Sequence, residues 1–158
     1  MGTDWREVLA SASEQMHNAR KITDLDLKPG LVVYMPLRRE DGLVISEPYN
    51  SRKKFFVVLG ITEDGKVIGA VLINSKPNNR SEEEMLGQYP LKKADYPEFL
   101  TKPTSYIDCT DLFEFDKQRV IDEGEKQVQL TDSDISLVLQ TVHDSPLVSN
   151  KQKKRFGI

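Results

Sequence analysis

The sequence contains few of the residues that form metal centres and disulfides. Its 158 residues include one cysteine, Cys109, and two histidines, His17 and His143. A single cysteine forms neither an internal disulfide nor a cysteine cluster for zinc, so we expect a lone buried thiol. The histidines fall on separate predicted helices, which argues against a metal site or a histidine-based triad. We therefore expect no metal and no cofactor.

Long apolar runs are also missing. No stretch approaches the roughly 20 apolar residues that a membrane span needs. The first residues, MGTDWREVL, contain neither the basic region nor the apolar region of a secretory signal. With 38% hydrophobic and 30% charged residues, the composition is typical of one globular domain with short terminal extensions. These features predict a cytoplasmic protein that does not enter a membrane.

The net charge of −3 is unevenly distributed along the chain. The segment KQKKR, from Lys151 to Arg155, carries +4, which leaves −7 for the rest of the protein. An acidic body offers no uniform surface to nucleic acid, so any RNA contact requires local basic clusters. The sequence contains four of them, which are Arg38-Arg39, Arg52-Lys53-Lys54, Lys76 with Arg80, and Lys92-Lys93. We expect the basic tail itself to be a disordered, solubilising end, and a binding arm is the alternative.

Two apolar runs, Phe55 to Ile61 and Val67 to Ile73, flank an Asp64-Gly65 pair. Both runs are rich in β-branched and aromatic residues, and Asp-Gly supplies the positive φ angles of a tight turn. The sequence therefore predicts a β-hairpin. Because neither run alternates between apolar and polar residues, we expect both faces to be covered, as in a small barrel or sandwich.

Helical patterns lie near both ends of the chain. Asp4 and Glu7 begin the first, whose apolar face carries Trp5, Val8, Leu9, Ala12 and Met16. We expect this face to pack on the protein's own sheet, and docking onto a partner is the alternative. The last helix begins at Thr131, with Asp134 three residues later, and ends near Ser145-Pro146.

Five segments in order carry a family resemblance. They are KPGLVVYMPL from Lys28, RKKFFVVLG from Arg52, VIGAVLINS from Val67, SYIDCTDLFEFDKQRV from Ser105, and the helix from Thr131 to Val142. Together they resemble the MazF/PemK toxin family, also called the CcdB/PemK-like barrel, over about residues 28–145. The resemblance implies a mainly β (α+β) fold, a small SH3-like antiparallel barrel with an N-terminal helix and a C-terminal helix. Residues 1–27 would form a helical extension, 28–145 the barrel domain and 146–158 a basic tail.

The resemblance also implies an activity. Members of this family are toxins of toxin-antitoxin systems and cut single-stranded RNA without a metal, acting as homodimers that a small antitoxin neutralises. They use an arginine, followed by proline, before the second apolar strand, and a threonine or serine at the end of the next. In this chain Lys54 and Phe55 stand where the arginine-proline pair would begin, and Ser75 holds the hydroxyl position.

The site that the resemblance implies combines cations with a hydroxyl. Attack by a 2′-hydroxyl requires a proton acceptor, a donor to the leaving oxygen and positive charge on the phosphate. Lys54 or Arg52 would neutralise the phosphate, Ser75 would hydrogen-bond to it, and residues 38–42 would gate access. The proposed RNA-binding residues are Arg38, Arg39, Lys53, Asn74 and Lys76, and the candidates for stacking on bases are Tyr34, Tyr49 and Tyr106.

Structural explanations remain open beside these. The basic residues 52–54 also fit a solvated strand end, Ser75 fits an ordinary turn residue, and the tyrosines fit core packing. The alternative function is a non-catalytic barrel module that binds a protein or nucleic-acid partner.

Overall fold

The computed structural model describes residues 2 and 4–158, apart from the side chains of residues 13 and 16–18. Over this range the strands are β1 (Leu31–Arg38), β2 (Ser51–Ile61), β3 (Val67–Asn74), β4 (Gln88–Lys92), β5 (Thr104–Asp116) and β6 (Glu125–Gln129). The helices are α1 (Trp5–Arg20), α2 (Glu82–Leu86), α3 (Lys117–Glu123), α4 (Asp132–Asp144) and α5 (Asn150–Arg155). The protein is therefore a mixed α+β fold.

The six strands form one antiparallel sheet in the order β4-β5-β3-β2-β1-β6. Among the described strands, β4 and β6 lie at the two ends of this order and are not paired with each other. The antiparallel sheet with flanking helices agrees with the predicted class. Its closure into an SH3-like barrel stays a prediction.

The central hairpin is confirmed. Strands β2 and β3 pair from Phe55 opposite Ile73 to Ile61 opposite Ile68. Gly65 has a φ of +73°, which glycine adopts without the steric cost of a side chain. Alternate residues of β2 face two separate apolar clusters, with Val57 in one and Phe56 in the other. Both faces of the hairpin are therefore covered, as its unbroken apolar runs predicted.

Helix α4 is also confirmed. The hydroxyl oxygen of Thr131 accepts a hydrogen bond from the backbone N–H of Asp134 at 3.2 Å, which caps the start of the helix. Ile135, Val138 and Val142 are buried beneath it. They belong to the same cluster as Val57 and Cys109. Cys109 is fully buried, as predicted, and burial raises the pKa of its thiol.

The prediction of a disordered basic tail is wrong. Residues Asn150–Arg155 form α5, and Phe156 directly after it is only 5% exposed. Its ring lies over Gly69, where an added Cβ would come within 2.7 Å of it, and its backbone lies against Gly60. These glycines face each other across β2 and β3, so they leave a gap that the aromatic ring fills. One buried side chain thus makes the tail part of the core.

The expected packing of the first helix is also wrong. Trp5, Val8 and Leu9 are 70%, 43% and 67% exposed, so this apolar face does not lie on the sheet. The helix meets the sheet at its C-terminal end, where Arg20 lies 4.0 Å from the Glu125 carboxylate and Lys21 bridges to the same residue. The side chain of Met16 lies outside the described residues.

Candidate nucleic-acid interface

The start of β2 and the end of β3 meet at one edge of the sheet. Lys54 Nζ donates a hydrogen bond to Asn74 Oδ1 at 2.7 Å. This contact follows from the register, because Phe55 lies opposite Ile73 one residue further along. Ser75 comes directly after Asn74, where β3 ends. The basic segment and the hydroxyl-bearing segment are therefore neighbours, and not at opposite ends of the molecule.

Strand alternation sorts the three cations between the two faces. Strand β2 already begins at Ser51, so Arg52 and Lys54 point to the same face, two residues apart. Lys53 points to the other face, where its Nζ lies 5.4 Å from the centre of the Tyr34 ring. Arg52 and Lys54 can therefore act together on one phosphate, whereas Lys53 is held by a cation–π contact on the opposite side.

Lys54 is partly withdrawn from water. Burial lowers the pKa of its ammonium group, and the nearby charge of Arg52 lowers this pKa further. A partly desolvated cation interacts more strongly with a phosphate than a fully solvated one does. The hydrogen bond to Asn74 also fixes the flexible lysine stem. Lys54 is thus a positioned charge as well as a group that releases a proton more readily than a free lysine.

The three candidate tyrosines have different surroundings. Tyr34 stacks on Phe55, with ring centres 4.4 Å apart, and Phe55 in turn contacts Phe99. Tyr106 is half-buried on β5. Tyr49 is 69% exposed in the loop before β2. The packing explanation therefore suits Tyr34, and Tyr49 is the one with a free ring face.

Arg38 and Arg39 contact the protein itself. Arg38 Nη2 lies 2.7 Å from Oε1 of Glu123. Arg39 Nη2 donates to the backbone carbonyls of Ile45 at 2.9 Å and Tyr49 at 2.8 Å. These bonds brace the loop that follows β1, and a role of the two arginines in RNA binding stays a prediction.

The same loop is anchored to α3 through Asp41. Arg119 Nη1 and Nη2 contact the two carboxylate oxygens of Asp41 at 2.5 and 2.9 Å. Arg119 also donates to Glu123 and to the carbonyl of Pro36. Burial acts to raise the pKa of Asp41, but the hydrogen bonds from Arg119 and from the backbone of Arg38 outweigh it and hold this pKa below its usual range.

This pairing predicts a dependence of stability on pH. The pKa of Asp41 is lower in the folded state than in the unfolded state. The pairing therefore stabilises the protein fully at pH values above the ordinary pKa of aspartate, and this stabilisation is lost as the pH falls through the folded pKa. We expect Asp41→Asn to lower the free energy of unfolding by about 2 kcal/mol at pH 7, and the difference from wild type to vanish at strongly acidic pH. Urea unfolding between pH 7 and pH 2.5 measures this.

Asp24→Asn is the matched control. Asp24 pairs with Lys117, but its side chain is 70% exposed, so its loss changes stability by no more than about 0.5 kcal/mol. Equal effects of the two substitutions at pH 7 would contradict the anchoring role of Asp41.

A buried carboxylate holds the loop that follows Asn74. Asp108 is 6% exposed and accepts four hydrogen bonds. The donors are Asn78 Nδ2 at 2.7 Å, Gln88 Nε2 at 3.0 Å, and the backbone N–H and hydroxyl of Thr110 at 3.1 and 2.5 Å. Sequence reasoning gave Asp108 no role. Its one signal was an acidic residue inside an otherwise buried strand.

The interface is an open edge of the sheet and not a deep pocket. Clefts of about 460 and 580 Å³ lie elsewhere, the first between the end of α1 and β6 and the second beside α3. Within the described part of the chain, no cluster of three or more histidine, cysteine or acidic side chains is arranged to hold a metal ion. None of the described helices has the length and apolarity needed to cross a membrane.

The comparisons with known proteins leave the family open. No family model matches the sequence, and no curated protein is significantly similar to it.

Proposed function

We propose that this chain is a divergent MazF/PemK-like toxin with an SH3-like barrel, and that it cuts single-stranded RNA without a metal. The observation that supports the proposal is the contact between Lys54 and Asn74, which brings the basic start of β2 to the end of β3 beside Ser75. The order of the five family-like segments along the chain supports it independently.

The proposed reaction is attack by a ribose 2′-hydroxyl on the adjacent phosphorus. The new O–P bond forms as the bond to the 5′-oxygen breaks, which gives a 2′,3′-cyclic phosphate and a 5′-hydroxyl. The proton of the 2′-hydroxyl leaves to a base and a proton is supplied to the 5′-oxygen. Arg52 provides positive charge to the phosphate. Lys54, whose pKa is lowered, is the better suited of the two to exchange a proton.

The proposed partners are single-stranded RNA, a second copy of the chain and a small antitoxin protein. Sedimentation of the purified protein tests the homodimer, since a dimer has twice the mass of 18.0 kDa.

The alternative function is a non-catalytic module that binds a protein or nucleic-acid partner. The exposed apolar face of α1, formed by Trp5, Val8 and Leu9, favours this alternative.

The cleavage test uses a long unstructured RNA in the presence of a chelator. We expect discrete fragments from the wild-type protein. The double variant Arg52→Ala, Lys54→Ala should cut at least about 100-fold more slowly, because the protein loses the positive charge that neutralises the reacting phosphate. Fragment ends are identified by whether they carry a cyclic phosphate.

The control variant removes two cations from the other end of the sheet. Lys66 lies in the turn between β2 and β3, and Lys154 lines a cleft beside that turn. Lys66→Ala, Lys154→Ala should cut at the wild-type rate. If folded wild-type protein leaves the RNA intact, or if the two double variants lose cleavage rate equally, the nuclease proposal is wrong and the binding module is favoured.

A further inference from the structure

Strand pairing extends the basic edge of the sheet well beyond Lys54. Asn74, the partner of Lys54, lies opposite Tyr106 of β5, and Tyr106 lies opposite Pro90 of β4. Two residues further toward the same end, Lys92 lies opposite Thr104. Lys92 is therefore at the same end of the sheet as Arg52, although 40 positions separate the two residues in the sequence.

A third lysine joins this group through the backbone. Lys93 N–H donates to the carbonyl of Pro103 at 3.0 Å, so the segment that follows β4 is bound to the segment that contains Lys102. Lys92, Lys93 and Lys102 are all exposed. We call these three residues the β4 lysines.

Arg38 lies at this end of the sheet, opposite Ser51, and is paired with Glu123, but among the described residues Arg52 and the lysines at this end have no acidic partners. Within residues 4–158, none of them has a carboxylate oxygen within 4.0 Å, whereas Arg38, Arg119 and Arg155 each do. The cations without such a partner at this edge are Arg52, Lys53, Lys54, Lys76, Lys92, Lys93 and Lys102. Asp95 and Glu98 lie between Lys93 and Lys102, but the seven cations outnumber them, so in a chain of net charge −3 this edge is a local positive strip.

The length of the strip indicates what it binds. Three strand spacings separate β2 from β4, which is about 14 Å across the sheet. This is too long for a single phosphate group. It suits several phosphates of an extended strand, within the ~4–16 nucleotides that single-strand binding surfaces cover.

We propose that the β4 lysines are the far end of a track for the backbone of single-stranded RNA, and that the track begins at Arg52 and Lys54. This inference rests on the proposed function for the identity of the polymer. The lysines bind phosphates and not bases, so the track adds affinity for longer RNA without adding sequence preference. It also gives the RNA a direction across the sheet, from β2 toward β4.

The test measures binding separately from cleavage. 2′-O-methyl RNAs of 12 and 3 nucleotides lack the attacking hydroxyl, and fluorescence anisotropy gives their affinities between 50 and 200 mM salt. The variant is Lys92→Gln, Lys93→Gln, Lys102→Gln. For the 12-nucleotide RNA we expect the slope of log affinity against log salt to fall in magnitude by about 2, or about 0.7 per lost phosphate contact.

This change in slope is large enough to measure. When salt is raised from 50 to 200 mM, the affinity of wild type should fall by a factor about 20 times larger than the factor by which the affinity of the variant falls. The 3-nucleotide RNA should bind both proteins equally. The control variant is Lys66→Gln, Lys151→Gln, Lys154→Gln, which removes the same charge beside the hairpin turn and should keep the wild-type slope.

The outcomes separate this inference from the nuclease proposal. Equal slopes for the two triple variants, or no binding of the 12-nucleotide RNA by wild type, would overturn the track. Length-dependent binding by a protein that leaves unmodified RNA intact would support the track and overturn the nuclease. Cleavage by wild type together with an unchanged slope in the β4 lysine variant would support the nuclease and overturn the track.

Discussion

Replacing Phe156 with alanine will lower the free energy of unfolding by about 3 to 5 kcal/mol, the range found for large aromatic side chains removed from a core. The ring is 5% exposed and fills the gap above Gly60 and Gly69. Little else is positioned to fill that gap, because both strands carry glycine there. The substitution therefore removes buried area and leaves a cavity in the same place.

Chemical denaturation of wild type and Phe156→Ala measures this effect. Leu147→Ala is a suitable control, since Leu147 lies in the same C-terminal region but is 49% exposed, and its loss should cost less than about 1 kcal/mol. A loss below 1 kcal/mol for Phe156→Ala would show that the tail does not belong to the folded core.

The second large effect is expected at Asp108. Asp108→Ala removes the acceptor of four hydrogen bonds and leaves the buried backbone N–H and hydroxyl of Thr110 without this acceptor. We expect a loss of about 2 to 4 kcal/mol, less than the sum of four bonds, because Asn78 can turn to water. Residues 75–80, which Asn78 holds, should also exchange their amide hydrogens faster.

Denaturation and hydrogen exchange together separate the two parts of this effect. Asp95→Ala removes an exposed carboxylate from the turn after β4 and should change stability by no more than about 0.5 kcal/mol. If Asp108→Ala unfolds more easily but leaves exchange over residues 75–80 unchanged, Asp108 supports the core without holding the loop.

The parts of the fold that were predictable are those with a local cause. The hairpin follows from two apolar runs and an Asp-Gly turn, and α4 follows from the cap at Thr131 and its spacing of apolar residues. Phe156 had no such signal. It is a single aromatic residue after a basic segment. The gap that its ring fills lies above two glycines, and in the sequence a glycine within a strand indicates only a weaker strand.

Tertiary contacts also determine where α1 packs and how far the basic edge of the sheet extends. The spacing of Trp5, Val8 and Leu9 predicts an apolar face, but spacing alone does not provide a surface for that face to cover. Lys54 and Asn74 were close in the predicted hairpin, so their meeting followed from local register. Lys92 reaches the same edge only through the pairing of β4 with β5, which no local pattern in the sequence reveals.

The burial of Cys109 has a practical consequence for studying the interface. Cys109 is the protein's only cysteine, its side chain is buried and the pKa of its thiol is raised, so we expect it to react slowly with maleimide dyes at neutral pH. A cysteine introduced at an exposed position therefore becomes the sole labelling point without first removing a native thiol. A fluorophore placed in this way at Lys102 would report the distance to a dye on either end of a bound oligonucleotide, and so the polarity with which the strand lies.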